Sequence, residues 1–302
     1  MNAQPFTIAL DLGGTDLKTA RVSAAGDVLE FACVPSRAGD GADALMDTLM
    51  EAARRWRAGA RALGVGIPGV IHPDTGVLAD VTPHLPLPAG YSVRAELERA
   101  LGIPVAADND ANCAAFGEYR AGAAAGARVA LVVTVGTGIG CGIVVDGHVL
   151  RGAWGGAGEI GHVAHCSPGP ACACGVEGCA EPRSGGGGLV ARAREAGLAC
   201  DGAIEVFAAA ASGDARARVL LDDMSDALAR QLAAAIQTLN PDVIVIGGGV
   251  AQAGEALLAP LRDRLPRYVQ PSHLRGLRLV PAMLGNRAGV VGAGVMAWAG
   301  AD

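Results

Sequence analysis

Lysine is almost missing from this sequence. Among 302 residues only Lys18 is a lysine, and the other strong bases are arginines. That scarcity narrows the field, because two common ways of handling a nucleotide phosphate each need a lysine in a set context. There is no G-x-x-x-x-G-K-[ST] run, so this is not a P-loop protein. There is no H-R-D or D-F-G set to accompany the one lysine, so it is not a protein kinase. Positive charge is also short. The formal net charge is −6, which argues against a nucleic-acid-binding surface. Long uninterrupted apolar runs are absent too. The most apolar stretch, Val129 to Val145, carries four glycines and reads as two strands around a turn, not as a membrane span. Met1 to Leu10 shows no basic segment followed by an apolar core, so no signal peptide is expected. The chain is expected to be soluble and cytoplasmic, with neither nucleic acid nor membrane as a partner.

What is present is core material. Hydrophobic residues make up 51% and charged residues 18%, with no compositional sign of disorder. The length suits two ordinary domains or one large cleft enzyme. Phe6 to Asp11 reads as a buried strand, followed by the turn Leu12-Gly-Gly-Thr-Asp16 and a returning strand from Leu17 to Val22. Strands are also predicted over 27–34, 61–67 and 103–107, and helices over 42–56, 92–101 (with Ser92 as N-cap) and 110–122. A strand at Val129 to Val135, a glycine-rich turn at Gly136 to Gly140 and a strand pair over 143–149 then restart the pattern. A loop-rich segment runs over 151–188. Helices at 189–196 and 214–239, a strand at 243–246, a helix from Glu255, a strand near 277–280 and a last helix near 288–299 complete the reading.

The repetition carries chemical meaning. Asp11-Leu-Gly-Gly-Thr15 and Thr134-Val-Gly-Thr-Gly-Ile-Gly140 can each present backbone N–H groups and a threonine hydroxyl to a phosphate. The first turn offers Gly13, Gly14 and Thr15, and the second Thr137 and Gly138. Either turn alone is no more than a hairpin, but two of them imply a nucleotide in a cleft. Asp11, at the end of a buried strand, is suited to hold a hydrated Mg²⁺. The glycines after Ile246 do not complete a dinucleotide fingerprint, because its last position falls on Gln252. Gly248 and Gly249 fit better as a loop against an adenine or ribose.

Asp108-Asn-Asp-Ala-Asn112 follows a strand and opens a helix. It can be read as a helix cap. It can equally be read as a catalytic corner, with Asp110 as general base and Asn109 fixing the substrate hydroxyl. Such a base contributes about 10²–10⁴ in rate. Further on, Cys172, Cys174 and Cys179 with one histidine make a closed Cys₃His set suited to structural zinc. His165 and Cys166 are competing ligands, and a set of free thiols is the alternative. The scattered Cys33, Cys113, Cys141 and Cys200 read as core. The same loop carries Glu159 and Glu181, which could accept hydrogen bonds from sugar hydroxyls.

In order and spacing these segments resemble the ROK family of sugar kinases and sugar-responsive repressors. The matching pieces include Gly64-Val-Gly-Ile-Pro-Gly69, Gly158-Glu-Ile-Gly-His162 and Asn240-Pro-Asp to Gly249. The resemblance implies an α/β, two-lobed, actin-like or hexokinase-type fold with ribonuclease H-like lobes, an interlobe cleft and a zinc-stabilised loop. The N-terminal lobe would cover 1–118, with the last helix (288–302) packing back on it. The C-terminal lobe would cover 119–287 and carry the zinc loop. The resemblance also implies Mg-ATP and a hexose as substrates, with Asp110 as base. Gly69, Asn109, Glu159, His162 and Glu181 would line the sugar site. His162 would bind zinc through its other ring nitrogen, alongside Cys172, Cys174 and Cys179. A homodimer or homotetramer is the expected assembly.

Two positions depart from the family pattern. His84 stands where an asparagine is usual, and Asp16, beside the phosphate turn, is expected to face solvent. Glucose is the leading substrate expectation, with fructose, mannose, allose, N-acetylglucosamine and N-acetylmannosamine remaining. A repressor's N-terminal DNA-binding segment is not expected, since the first phosphate strand is reached by Thr7.

Overall fold

The computed structural model describes residues 4–82, 85–165 and 169–299. His84 and Cys166, both singled out above, lie outside the described residues. The elements run β1 (Phe6–Leu12), β2 (Asp16–Val22), β3 (Val28–Pro35), α1 (Ala42–Arg55), β4 (Ala60–Ile67), α2 (Val93–Leu101), β5 (Val105–Asn109) and α3 (Asp110–Ala121). They continue with β6 (Val129–Val135), β7 (Ile139–Val145), β8 (His148–Val149), α4 (Glu181–Ser184), α5 (Gly186–Glu195), α6 (Ala203–Ala211) and α7 (Ala215–Leu239). The last are β9 (Val243–Gly247), α8 (Glu255–Tyr268), β10 (Arg278–Pro281) and α9 (Ala288–Ala299). Among the described residues no helix is long and apolar enough to cross a membrane.

The strands form two five-stranded mixed sheets, in the orders β3-β2-β1-β4-β5 and β10-β9-β6-β7-β8. Read from its other edge, the second sheet repeats the first strand for strand. In each, the opening strand lies beside the strand that returns from its Gly/Thr turn. On its other side it runs parallel to a later strand, β4 or β9. The repetition in the sequence is thus a repetition of topology. The chain divides into two compact units. One is Met1–Gly126, Gly142–Ala157 and Met283–Asp302, and the other is Ala127–Cys141 and Gly158–Ala282.

In the first unit β1 is buried along its whole length. Its alternate residues face different layers. Phe6, Ile8, Leu10 and Leu12 join the core with Leu45 and Leu49 of α1 and Leu97 of α2. Thr7 and Asp11 face α9 instead: the Thr7 hydroxyl donates to the Gly294 carbonyl at 2.9 Å, and a Cβ on Gly289 would fall 2.5 Å from the Asp11 carboxylate. α9 therefore lies on the sheet as a nearly all-apolar, buried helix. It also crosses α3 at contact distance. A Cβ on Gly292 would sit 1.6 Å from the Cys113 carbonyl oxygen, so glycine is required there.

Several boundaries differ from the sequence reading. β7 begins at Ile139 instead of residue 143, because the Ile139 N–H finds an acceptor in the Glu181 carboxylate at 2.8 Å. α5 begins at Gly186 instead of residue 189, despite its glycines. There the Gly186 and Gly187 N–H groups donate to the carbonyls of Gly136 and Thr137, which fixes a helical start that propensity disfavours. α6, an alanine-rich segment, had no periodic signal to betray it. Cys33 is exposed, not core, because β3 is an edge strand whose alternate residues face water. Ser92 does cap α2, accepting the Ala95 N–H at 3.1 Å.

Glu118, fully buried on α3, closes the first unit. Its carboxylate accepts the N–H groups of Ala123 (2.7 Å), Met283 (3.2 Å) and Leu284 (2.7 Å). It thereby satisfies the end of α3 and the approach to α9 together. Bonds to a charged acceptor are worth about 1.5–3 kcal/mol each, and stranding the buried donors adds to the loss. Glu118→Ala is expected to lower the unfolding free energy by at least about 3 kcal/mol, read from urea denaturation. An unchanged midpoint would show that water replaces the carboxylate at no cost.

Candidate functional site

In the first unit the Asp11-to-Thr15 turn is a tight hairpin. The Gly13 N–H donates to the Asp16 carbonyl at 2.8 Å, and Ser36 ties the turn down by donating from its N–H to the Thr15 carbonyl (2.8 Å) and from its hydroxyl to the Gly14 carbonyl (3.0 Å). Gly14, Thr15 and Asp16 are exposed. The Thr15 hydroxyl donates to Asp16 at 3.3 Å. Asp11 and Lys18 are directly opposed in the β1–β2 register, and the Lys18 ammonium donates to Asp11 Oδ2 at 2.9 Å. The chain's single lysine is thus spent on the carboxylate expected to hold hydrated magnesium. This pairing was hidden in the hairpin register and was not anticipated.

The Asp108–Asn112 segment forms a strand–helix corner between β5 and α3. Asn109 is the N-cap: its side-chain oxygen accepts the N–H groups of Ala111 (2.9 Å) and Asn112 (3.1 Å). Its amide nitrogen donates to the Gly69 carbonyl at 3.0 Å. The cap reading of this segment is met, and it leaves one amide hydrogen of Asn109 that could be offered to a ligand. Gly69 holds φ at 111° and closes against Leu78 and Thr82. Asp110 is the first helical residue, and its Oδ1 accepts the Ala111 N–H at 2.9 Å.

In the second unit the Thr137–Gly138 turn is exposed at Thr137 and backed by Glu181. A Cβ on Gly138 would meet the Glu181 carboxylate at 2.4 Å. Gly248 has φ 83° after β9, and Gly249 opens the short 3₁₀ turn that follows. Glu159 precedes another 3₁₀ turn, Ile160–His162, which fully buried Gln231 on α7 steadies by donating to the Ile160 carbonyl at 3.3 Å. Burial pushes the Glu159 carboxyl above the ordinary carboxylate range. His162 opposes this and Glu181 reinforces it. The side chain is still 44% exposed, so solvent screens part of the effect.

His162 links this turn to the cysteines. Its Nε2 lies 3.7 Å from Glu159 Oε2, while its Nδ1 lies 3.6 Å from Cys172 Sγ. The donor atoms of His162, Cys172, Cys174 and Cys179 all fall within 4.8 Å of one another. Cys174 and Cys179 sulfurs are 3.5 Å apart, far beyond a disulfide and close to the roughly 3.8 Å edge of a tetrahedral zinc–thiolate site. The Val176 N–H, donating to Cys174 Sγ, lowers that thiol below the usual range. Burial pushes Cys179 up to about 12, a shift that a bound cation would oppose. The donor set and its spacing fit a four-coordinate zinc ion. His165 is not part of the set among the described residues.

Purified protein is expected to carry about one zinc per chain. Cys174→Ser is expected to lose most of that zinc and to lower Tm, measured by elemental analysis and calorimetry on the same samples. Metal-free wild-type protein of unchanged Tm would rule out a structural ion.

Comparison with known proteins extends these local findings along the chain. The ROK family model matches residues 7–299. A glucokinase from Halalkalibacterium halodurans is 36% identical over 313 residues, covering 95% of this chain and 93% of its own. An N-acetylmannosamine kinase from Salmonella newport is 34% identical over 292 residues, covering 96% and 98%. The crystal structure of a ROK family glucokinase from Streptomyces griseus in complex with glucose and AMPPNP is similar with a TM-score of 0.85. It shares 29% identity over 97% of this chain and 99% of that one. The repeated sheets, the two Gly/Thr turns and the Cys₃His cluster sit within a match of nearly full length, and the chain belongs to the ROK family.

Proposed function

We propose that this protein is an ATP-dependent sugar kinase that transfers the γ-phosphoryl group of ATP to the exocyclic hydroxyl of glucose, giving glucose 6-phosphate. The observation that carries the reading is the β5–α3 corner. There a carboxylate at the first helical position, Asp110, stands next to an amide, Asn109, that is fixed to both the helix and Gly69. Such a corner can accept a proton from a hydroxyl and orient that hydroxyl with little reorganisation. The glucokinase relatives, and the family structure that holds glucose with an ATP analogue, support the choice of substrates.

In this mechanism Asp110 takes the proton of the attacking hydroxyl, and Asn109 donates its remaining amide hydrogen to the sugar. Glu159, His162 and Glu181 accept or donate to the other hydroxyls, and Gly69 leaves room for the ring. The turns at Gly13, Gly14 and Thr15 and at Thr137 and Gly138 cradle the phosphates with main-chain N–H groups. Gly248 and Gly249 flank the adenosine. A bound Mg²⁺ would supply charge neutralisation to the nucleotide phosphates. Asp11, already paired with Lys18, would hold it through water rather than directly. Zinc would serve structure alone, fixing the loop that presents His162.

A second sugar class has support of its own, since relatives named N-acetylmannosamine kinase are 34% identical over nearly the whole chain. ADP release from Mg-ATP across a panel of hexoses and N-acetylhexosamines decides between them. Highest kcat/KM on glucose is expected, and a preference for N-acetylmannosamine would transfer the assignment to that reaction. Asp110→Asn is expected to keep sugar binding and lose about 10²–10⁴ in kcat. Full turnover in that variant would remove Asp110 from the role of base.

A further inference from the structure

The first unit gathers three carboxylates at one end of its sheet: Asp11 at the end of β1, Asp108 near the end of β5, and Asp110 at the start of α3. The strand register brings them together, since Asp11 and Asp108 both pair with Gly66, which also lies against Asp110, and the buried thiol of Cys113 stands among them. Burial pushes this thiol well above its usual range, Asp108, Asp11 and Asp110 push it further, and Arg151 opposes them. Asp11 and Asp108 each meet a cation. Asp11 has Lys18 at 2.9 Å. Asp108 has Arg151, whose Nε lies 2.7 Å from Asp108 Oδ2.

Asp108 is turned inward and bonded within the fold through both of its oxygens. Its side chain is 6% exposed. Oδ2 holds Arg151, while Oδ1 accepts both the Asn112 side-chain amide (2.9 Å) and the Asn109 N–H (2.8 Å). A buried carboxylate is costly unless paired and hydrogen-bonded. This one is paired and hydrogen-bonded, one residue before the amide and two before the carboxylate proposed to touch substrate. Arg151 reaches it from the segment after β8, where a weaker bond from Nη1 to the Val149 carbonyl at 3.4 Å steadies the guanidinium.

We propose that Arg151 is a positioning residue for the transfer reaction: by clamping and neutralising Asp108 it holds the Asn109–Asp110 corner in place and keeps an uncompensated negative charge from standing beside the base. This rests on the reading of Asp110 as the base. Among the described residues of the first unit, the charged and titratable groups recorded at the corner include Asp11 from β1, Lys18 from β2, Asp108 from β5, Cys113 from α3 and Arg151 after β8. β4 brings Gly66 against Asp110, and α9 brings Gly289 against Asp11 and Met296 against Cys113, none of them titratable. Without Arg151, Asp108 becomes a bare negative charge beside the base and raises its pKa. Without the Asp108 charge, Arg151 lowers it.

The test is the acid limb of the kcat/KM profile against pH for the sugar, in wild type, Arg151→Met, Asp108→Asn and the double variant, with Asp110→Asn assayed alongside. Arg151→Met is expected to move the limb up by about one pH unit and to lower kcat about tenfold. Asp108→Asn is expected to move the limb down by a similar amount, and the double variant to return it to the wild-type position. A merely structural pair would not shift the limb in opposite directions. Limbs that stay put, or that move the same way in both single variants, would overturn the proposal. Should Arg151→Met fail to fold, Asp108→Asn decides alone, since an unmoved limb there is equally fatal. Full turnover in Asp110→Asn would instead remove the underlying assignment of the base and leave the cause of the failure plain.

Discussion

The first unit depends on covering both faces of one strand. β1 is apolar or uncharged on each face until Asp11, and a strand buried on both sides needs two layers of helix. α1 and α2 supply one layer through leucines, which are large and can fill space between well-separated elements. α9 supplies the other in the opposite manner, through glycine and alanine, so that helix backbone rests nearly on sheet backbone. The difference is chemical in its effect. The leucine side is a dry core, while the glycine side leaves Asp11 and the start of α3 close together at the sheet's end, where carboxylates can be gathered and their charges balanced.

The same economy runs through the candidate residues of each unit, taken separately. Few of their polar groups serve one purpose. Asn109 caps a helix, anchors to Gly69 and keeps one hydrogen in reserve. Glu181 starts a strand by accepting the Ile139 N–H and remains within electrostatic reach of Glu159. His162 has one ring nitrogen toward a carboxylate and the other toward a thiol. Each double use removes a rotamer the side chain could otherwise adopt, which is the restriction that the proposed transfer chemistry would require of them.

Much of this was legible in the sequence wherever the signal was local. The hairpin turns, the Ser92 cap and the long helix α7 announce themselves by composition and period within a dozen residues. The Cys₃His set was readable because three cysteines fall within eight residues. What stayed hidden was set by partners far along the chain. The early start of β7 depends on Glu181, and the early start of α5 on carbonyls of the Gly136–Thr137 turn. Arg151 lies 43 positions from Asp108 and belongs to no motif. Lys18 is the intermediate case. Its pairing with Asp11 follows from the hairpin register, so the turn contained it, but only for a reader who counted strand partners as well as turn residues.

The reach of α9 also has a consequence for how the molecule is made. Thr7 and Gly294, joined by a single hydrogen bond, stand 287 positions apart. A chain emerging from the ribosome at about 5–20 residues per second can form the β1–β2–β3 meander and its leucine-lined face early. The face that awaits α9 stays bare until that helix has been synthesised, so the whole second unit is available to fold while the first is still incomplete. The first unit is therefore the slower of the two to finish, because its most distant contacts must pay the largest loop-closure entropy. Its half-covered sheet is the stretch of the nascent chain that a folding helper would most need to shield.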